Sequence, residues 1–156
     1  MSSAIDISAF HGTDPVLAIA EEVFTAMIDG EPGLVRPWTG DVPPLADEMH
    51  AWVDVHGPFP GRVLVSTEAG TAQDLARALL GMGADEAVSD EDLVDALGEV
   101  ANVVGGNVKA LVADPHALGL PVVDRARPAT RPEDLLHSLP LDWRGRLVEV
   151  GLWTLP

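Results

Sequence analysis

Three observations in this 156-residue sequence predict an α+β fold, an antiparallel sheet with helices packed against it. Residues Ser89 to Val112 place apolar side chains at spacings of three and four, as an amphipathic helix does. Residues 48–56 and 147–155 instead alternate apolar with polar, the period of half-buried strands. Gly57-Pro58-Phe59-Pro60-Gly61 then joins 48–56 to a returning run, Arg62 to Thr67, as a hairpin with a long turn. The length suits one domain, 1–156, able to bury a core without staples.

In chain order, residues 1–12 read as a lead-in or a frayed edge strand. Asp14 is placed to cap a helix whose first turn holds Pro15, where the missing N–H costs nothing. Val16, Ile19, Ala20, Val23, Phe24 and Met27 form its apolar stripe, and Gly30 ends it. Residues 31–46, rich in Pro and Gly, read as a loop. In the strand 48–56, Met49, Ala51, Val53 and Val55 share one face, and His50, Trp52, Asp54 and His56 the other. Thr71 opens a second helix that Gly81 closes. After the long helix, Asp114-Pro115 ends the run, and Leu118 to Asp124 reads as a strand with Pro121 at an edge or bulge. Residues 125–144 carry Pro128, Pro132 and Pro140 and read as loop with one short strand near Leu135 to Leu139. The last strand, with Val148, Val150 and Leu152 on one face, is expected to lie at a bare edge.

Composition excludes several functions. Hydrophobic residues make up 47%, too many for a disordered chain. Nine basic residues against twenty-five acidic ones give a net charge of −16, which disfavours nucleic acid and anionic lipid as partners. With no cysteine, disulfides, thiolate metal sites and Cys nucleophiles are ruled out. No signal peptide and no membrane span are predicted, so a cytoplasmic protein is expected.

The other patterns that suggest chemistry fail on geometry. His50, Asp54 and His56 share a strand face, but residues two apart on a strand are already about 7 Å distant, too far for one ion. The glycines match no dinucleotide or phosphate-loop motif, and Lys109 is the sole lysine. Trp38, Trp52, Trp143 and Trp153 are scattered and read as core or interface aromatics.

The long helix is where a function becomes legible. Ser89 is placed as its N-cap, with Asp90, Glu91 and Asp92 at the positive end of the helix dipole. Leu93, Leu97, Val100, Val104, Val108 and Leu111 make the core stripe. At about 100° per residue, Asp95, Glu99 and Asn102 fall on the opposite side. Around Asn102 stand Gly98, Gly105 and Gly106, each costing roughly 1 kcal/mol in a helix relative to alanine. Two explanations stand open. Either something must approach the backbone beside Asn102, or the glycines let the helix pack closely on a neighbour.

The run Glu99-Val100-Ala101-Asn102-Val103-Val104-Gly105-Gly106-Asn107 resembles the signature helix of the CheC/CheX/FliY phosphatases of bacterial chemotaxis, closest to the CheX branch. In that family a Glu-x-x-Asn pair, followed by small residues and a second Asn, sits on an exposed long helix. The resemblance implies a CheC/CheX-like fold and hydrolysis of the aspartyl phosphate of a CheY-type response regulator. Asn102 would orient the attacking water, and Glu99 would ion-pair with the regulator's lysine. Asp95, Gly98, Gly105, Gly106 and Lys109 would lie at the partner contact. No cofactor of its own is implied, because Mg²⁺ would be carried by the phosphorylated regulator. Two-site relatives repeat the motif on the first helix. Here Glu22 is followed three residues on by Thr25, so a single site is expected. A homodimer paired through the sheets is also implied. The competing reading is a non-catalytic protein that docks a regulator or a flagellar switch component.

Overall fold

The structure, a computed structural model, describes residues 14–112 and 115–156. The expectations for residues 1–12 and for Asp114 lie outside that range. Helix α1 (Pro15–Val23) begins as predicted: Asp14 Oδ1 accepts from the backbone N–H groups of Val16, at 2.9 Å, and Leu17, at 3.3 Å. It continues through a wider π turn (Phe24–Asp29) to Gly30, whose φ of 73° is the left-handed conformation that ends a helix. Helix α2 (Ala69–Leu80) starts two residues before Thr71 and ends at Gly81. Helix α3 (Asp90–Lys109) is capped by Ser89 Oγ, which accepts from the Asp92 N–H at 3.1 Å.

Seven strands are found among the described residues: β1 (Val35–Pro37), β2 (Glu48–His56), β3 (Gly61–Glu68), β4 (Ala117–Leu118), β5 (Val122–Asp124), β6 (Leu135–Trp143) and β7 (Arg146–Thr154). They form one antiparallel sheet in the order β1-β6-β7-β3-β2-β4, with β5 also on β2. The α+β architecture is therefore as expected. Four details differ. The loop 31–46 contributes β1. The short strand near 135–139 is a nine-residue strand running through Pro140. The single strand 118–124 is broken into β4 and β5, because Gly119-Leu120-Pro121 leaves the ladder.

The fourth difference is the largest. The C-terminal strand is no bare edge: β7 pairs with β6 on one side and β3 on the other. Its alternation marks a strand with a core face, which edge and centre share.

The helices cover one face of the sheet. Val53, Val63, Val65, Leu141, Val148, Val150 and Leu152 meet Val16, Phe24, Leu75, Leu97, Val100, Val104 and Val108 in the core. Trp143 is buried against Phe24, its indole Nε1 donating to Asp29 Oδ1 at 3.0 Å. The connection from β5 to β6 crosses the other face. There Arg127 lies 4.0 Å from Glu48 and lines a small cavity with Ser66, Ser138 and Glu149, one from each of three strands.

Candidate functional site

The core stripe of α3 seats the helix as the sequence predicts, with Leu93, Leu97, Val100, Val104 and Val108 buried and Leu111 half-buried. Apolar burial on one side leaves the other side to solvent. Asp95 and Glu99 are exposed there, and Asn102 and Gly106 are half-buried on the same stripe. Glu99 and Asn102, three residues apart, are therefore neighbours on one accessible surface. Among the described residues, no side-chain hydrogen bond or ion pair engages Asp95, Glu99, Asn102 or Lys109. Asn107, in contrast, is spent locally: its Nδ2 donates to the Val103 carbonyl at 2.8 Å.

The glycines have a different reason from the one that would put them in a partner's contact. Gly98 and Gly105 are buried. A β-carbon at Gly98 would lie 3.5 Å from Pro121 Cγ, and one at Gly105 would overlap Val53 Cγ1. At half-buried Gly106 it would meet Leu118 Cδ2 at 3.8 Å. The close approach to the helix is thus made by the protein's own β2 and by the edge segment Leu118–Val123. Of the three, only Gly106 retains accessible surface for a partner. Lys109 is half-buried and lines a small apolar cavity with Val55, Phe59 and Trp153, toward the helix end.

Cavities of about 400 and 430 Å³ lie elsewhere, one lined by Asp74, Arg77 and Trp143, the other by Trp38, Glu68 and Arg146. An exposed helix face with an uncommitted carboxylate and carboxamide suits a macromolecular surface better than a small molecule, which needs enclosure. Among the described residues no group of three His, Asp or Glu is arranged to hold a metal ion. Of the strand-face trio, Asp54 is engaged by Arg62, with Nε–Oδ1 at 2.7 Å, and His50 is buried. No helix among them is long and apolar enough to cross a membrane.

The arrangement is an antiparallel sheet covered on one face by helices, one of which carries Glu-x-x-Asn on an accessible face. A model of the family described as chemotaxis phosphatase CheX matches residues 49–136, more than half of the sequence. The chain belongs to that family. A search of curated proteins found no match. Among solved structures, the chain is similar to chemotaxis protein CheX from Vibrio vulnificus, with 19% identity over 92% of this chain and 95% of that one, at a TM-score of 0.69. It is similar to CheX from Desulfovibrio desulfuricans at 18% identity, over 90% and 97% of the two chains, with a TM-score of 0.68. A CheX-CheY-BeF3-Mg²⁺ complex from Borrelia burgdorferi gives 18% identity over 97% and 99%, with a TM-score of 0.67. These likenesses extend the shared fold over nearly the whole chain.

Proposed function

We propose that this protein accelerates hydrolysis of the aspartyl phosphate of a CheY-type response regulator in chemotaxis signalling. The observation that carries the reading is the pairing of Glu99 and Asn102 on one accessible face of α3, neither held by a side-chain hydrogen bond or ion pair among the described residues. The Borrelia structure, a complex of CheX with CheY, supports the same kind of partner.

An aspartyl phosphate is an acyl phosphate, already prone to attack by water. What it gains from an enzyme is a water held in line with the leaving oxygen. The Asn102 carboxamide can accept through Oδ1 and donate through Nδ2, so it orients water without adding negative charge beside phosphate. Water attacks phosphorus, the acyl P–O bond breaks with its electron pair leaving on the regulator's carboxylate, and the protons of water pass to phosphate and solvent. Asn102 takes up none of them. Glu99, one turn earlier, pairs with a cationic side chain of the regulator and seats the helix over the phosphoryl group. Magnesium belongs to the regulator, and this chain works without a cofactor of its own.

We place the working form in the cytoplasm as a homodimer. Among the described residues β1 pairs with only Leu141–Trp143 of β6, which leaves the earlier part of that strand available for sheet-to-sheet pairing about a two-fold axis. A light-scattering mass near 16.4 kDa at micromolar concentration rejects the dimer.

The test of the catalytic reading follows loss of phosphate from a phosphorylated CheY-type regulator in the presence of Mg²⁺, with and without the protein. Faster loss with wild type, abolished in Asn102→Ala while binding persists, is the expected result. Binding without any change in lifetime leaves the docking-protein reading.

A further inference from the structure

We propose that the edge segment Leu118–Val122, with Leu120 at its tip, is the apolar half of the surface that docks the regulator. The inference rests on the reading that Asn102 faces the phosphoryl group. A β-carbon at Gly105 would meet Leu118 Cδ1 at 3.4 Å, and one at Gly98 would meet Pro121 Cγ at 3.5 Å. Asn102 lies between those two glycines on the helix, so Gly119 and Leu120 run alongside it.

Leu120 is 89% exposed, far more than any other large apolar side chain among the described residues. A lone exposed leucine would need no explanation, but this one has company. Pro121 is exposed beside it, Val122 is 44% exposed, and Val94 is 45% exposed one turn before Gly98 on the same flank of α3. Nor is the segment a loose tip. Its two ends pair with β2, and the Gly119 N–H donates to the Asp54 carbonyl at 2.8 Å. Pro121 breaks the strand between them, so Leu120 is pushed outward on a backbone pinned at both sides. A preorganised apolar knob loses little freedom on binding.

Charge selects the occupant. The helix that flanks Leu120 exposes Asp95 and Glu99 beside this segment and Asp90, Glu91 and Asp92 in its first turn. A second copy of this chain would bring the same carboxylates against each other, and like charges in an interface are costly. The complementary partner has an apolar surface next to a cationic group, beside the phosphorylated aspartate of a receiver domain. Leu120 thus sets affinity, and Asn102 sets rate.

The experiment compares wild type, Leu120→Ser, Leu120→Met and Asn102→Ala across a range of phosphorylated CheY-type regulator. Leu120→Ser is expected to raise KM about tenfold with kcat within about twofold, and Leu120→Met to restore KM. Asn102→Ala is expected to lose kcat and keep affinity. A wild-type KM in Leu120→Ser overturns the proposal. So does a Leu120→Ser protein whose light-scattering mass falls from dimer to monomer, since the knob would then serve a second copy. If wild type binds the regulator without hastening hydrolysis, the catalytic reading fails alone. Titration of beryllofluoride-loaded regulator then decides the docking surface: about tenfold weaker binding by Leu120→Ser sustains it, and equal binding overturns it.

Discussion

Among the described residues, no side-chain hydrogen bond or ion pair holds Asn102 or Glu99. Asn107, five residues on and exposed, is held instead: its Nδ2 donates to the Val103 carbonyl. Removing an unengaged surface group leaves stability within about 0.5 kcal/mol. Asn102→Ala should therefore melt with wild type and still lose about 100-fold in the hydrolysis step, the scale of losing one well-placed polar group. Asn102→Asp should be no better, because it sets a negative charge beside phosphate. Glu99→Gln should act on association, weakening it by roughly tenfold and flattening its dependence on salt, as loss of a charged contact does. Stopped-flow decay of the phosphorylated regulator, with thermal melts of each variant, checks all three. This pair was legible in the sequence because a helix wheel needs only local spacing. The wheel does not show how the neighbours of Asn102 are covered.

At the scale of the element, α3 carries that missing information in its glycines. Their clustering beside Asn102 was visible in the sequence, but not what approached them, because Pro121, Leu118 and Val53 come from other parts of the chain. Gly98 and Gly105 sit on the same flank and respond differently to a methyl group. A β-carbon at Gly105 overlaps Val53, and overpacking of this kind costs about 1–3 kcal/mol. At Gly98 it makes ordinary contact with Pro121, so the better helix propensity of alanine remains as a gain of up to about 1 kcal/mol. Urea denaturation should show Gly105→Ala destabilised and Gly98→Ala equal to wild type or better. Loss of stability in both would mean that the edge segment packs more tightly on α3 than these distances imply. The prolines follow a similar logic. Pro140 argued against a long strand, yet its carbonyl accepts from the Trp38 N–H at 3.0 Å just past β1, on the outer side of β6. A missing donor is tolerated on that side.

For the whole molecule, local pattern identifies strands but not their order, which long-range pairing decides. Alternation marked 147–155 as a strand; only the partners on both sides reveal it as central. The same long-range assembly turns the polar face of β2 into a buried network. His50, which the alternation places on the face opposite Val53 and Val55, is fully buried. Its Nδ1 lies 2.7 Å from Ser66 Oγ and its Nε2 3.1 Å from Glu48 Oε1. Burial, and secondarily the Arg127 cation, hold its pKa below the ordinary 6.5 against the opposing pull of Glu48 and Asp124. The unfolded chain thus takes up a proton near pH 6.5 that the folded chain refuses. The contribution of His50 is complete above that pH and is lost as pH falls toward the lowered folded value. Glu149, nearby on the same face, acts in the opposite sense. Burial raises its pKa above 4.5, so its charge costs stability at neutral pH and the cost is relieved in acid. The denaturation midpoint should therefore drop from pH 8 to pH 6, and His50→Gln should flatten that slope. Glu149→Gln should raise the midpoint at pH 8 more than at pH 5. Equal slopes in wild type and His50→Gln would mean that the folded protein accommodates the imidazolium, and that the crossing segment at Arg127 yields to admit water.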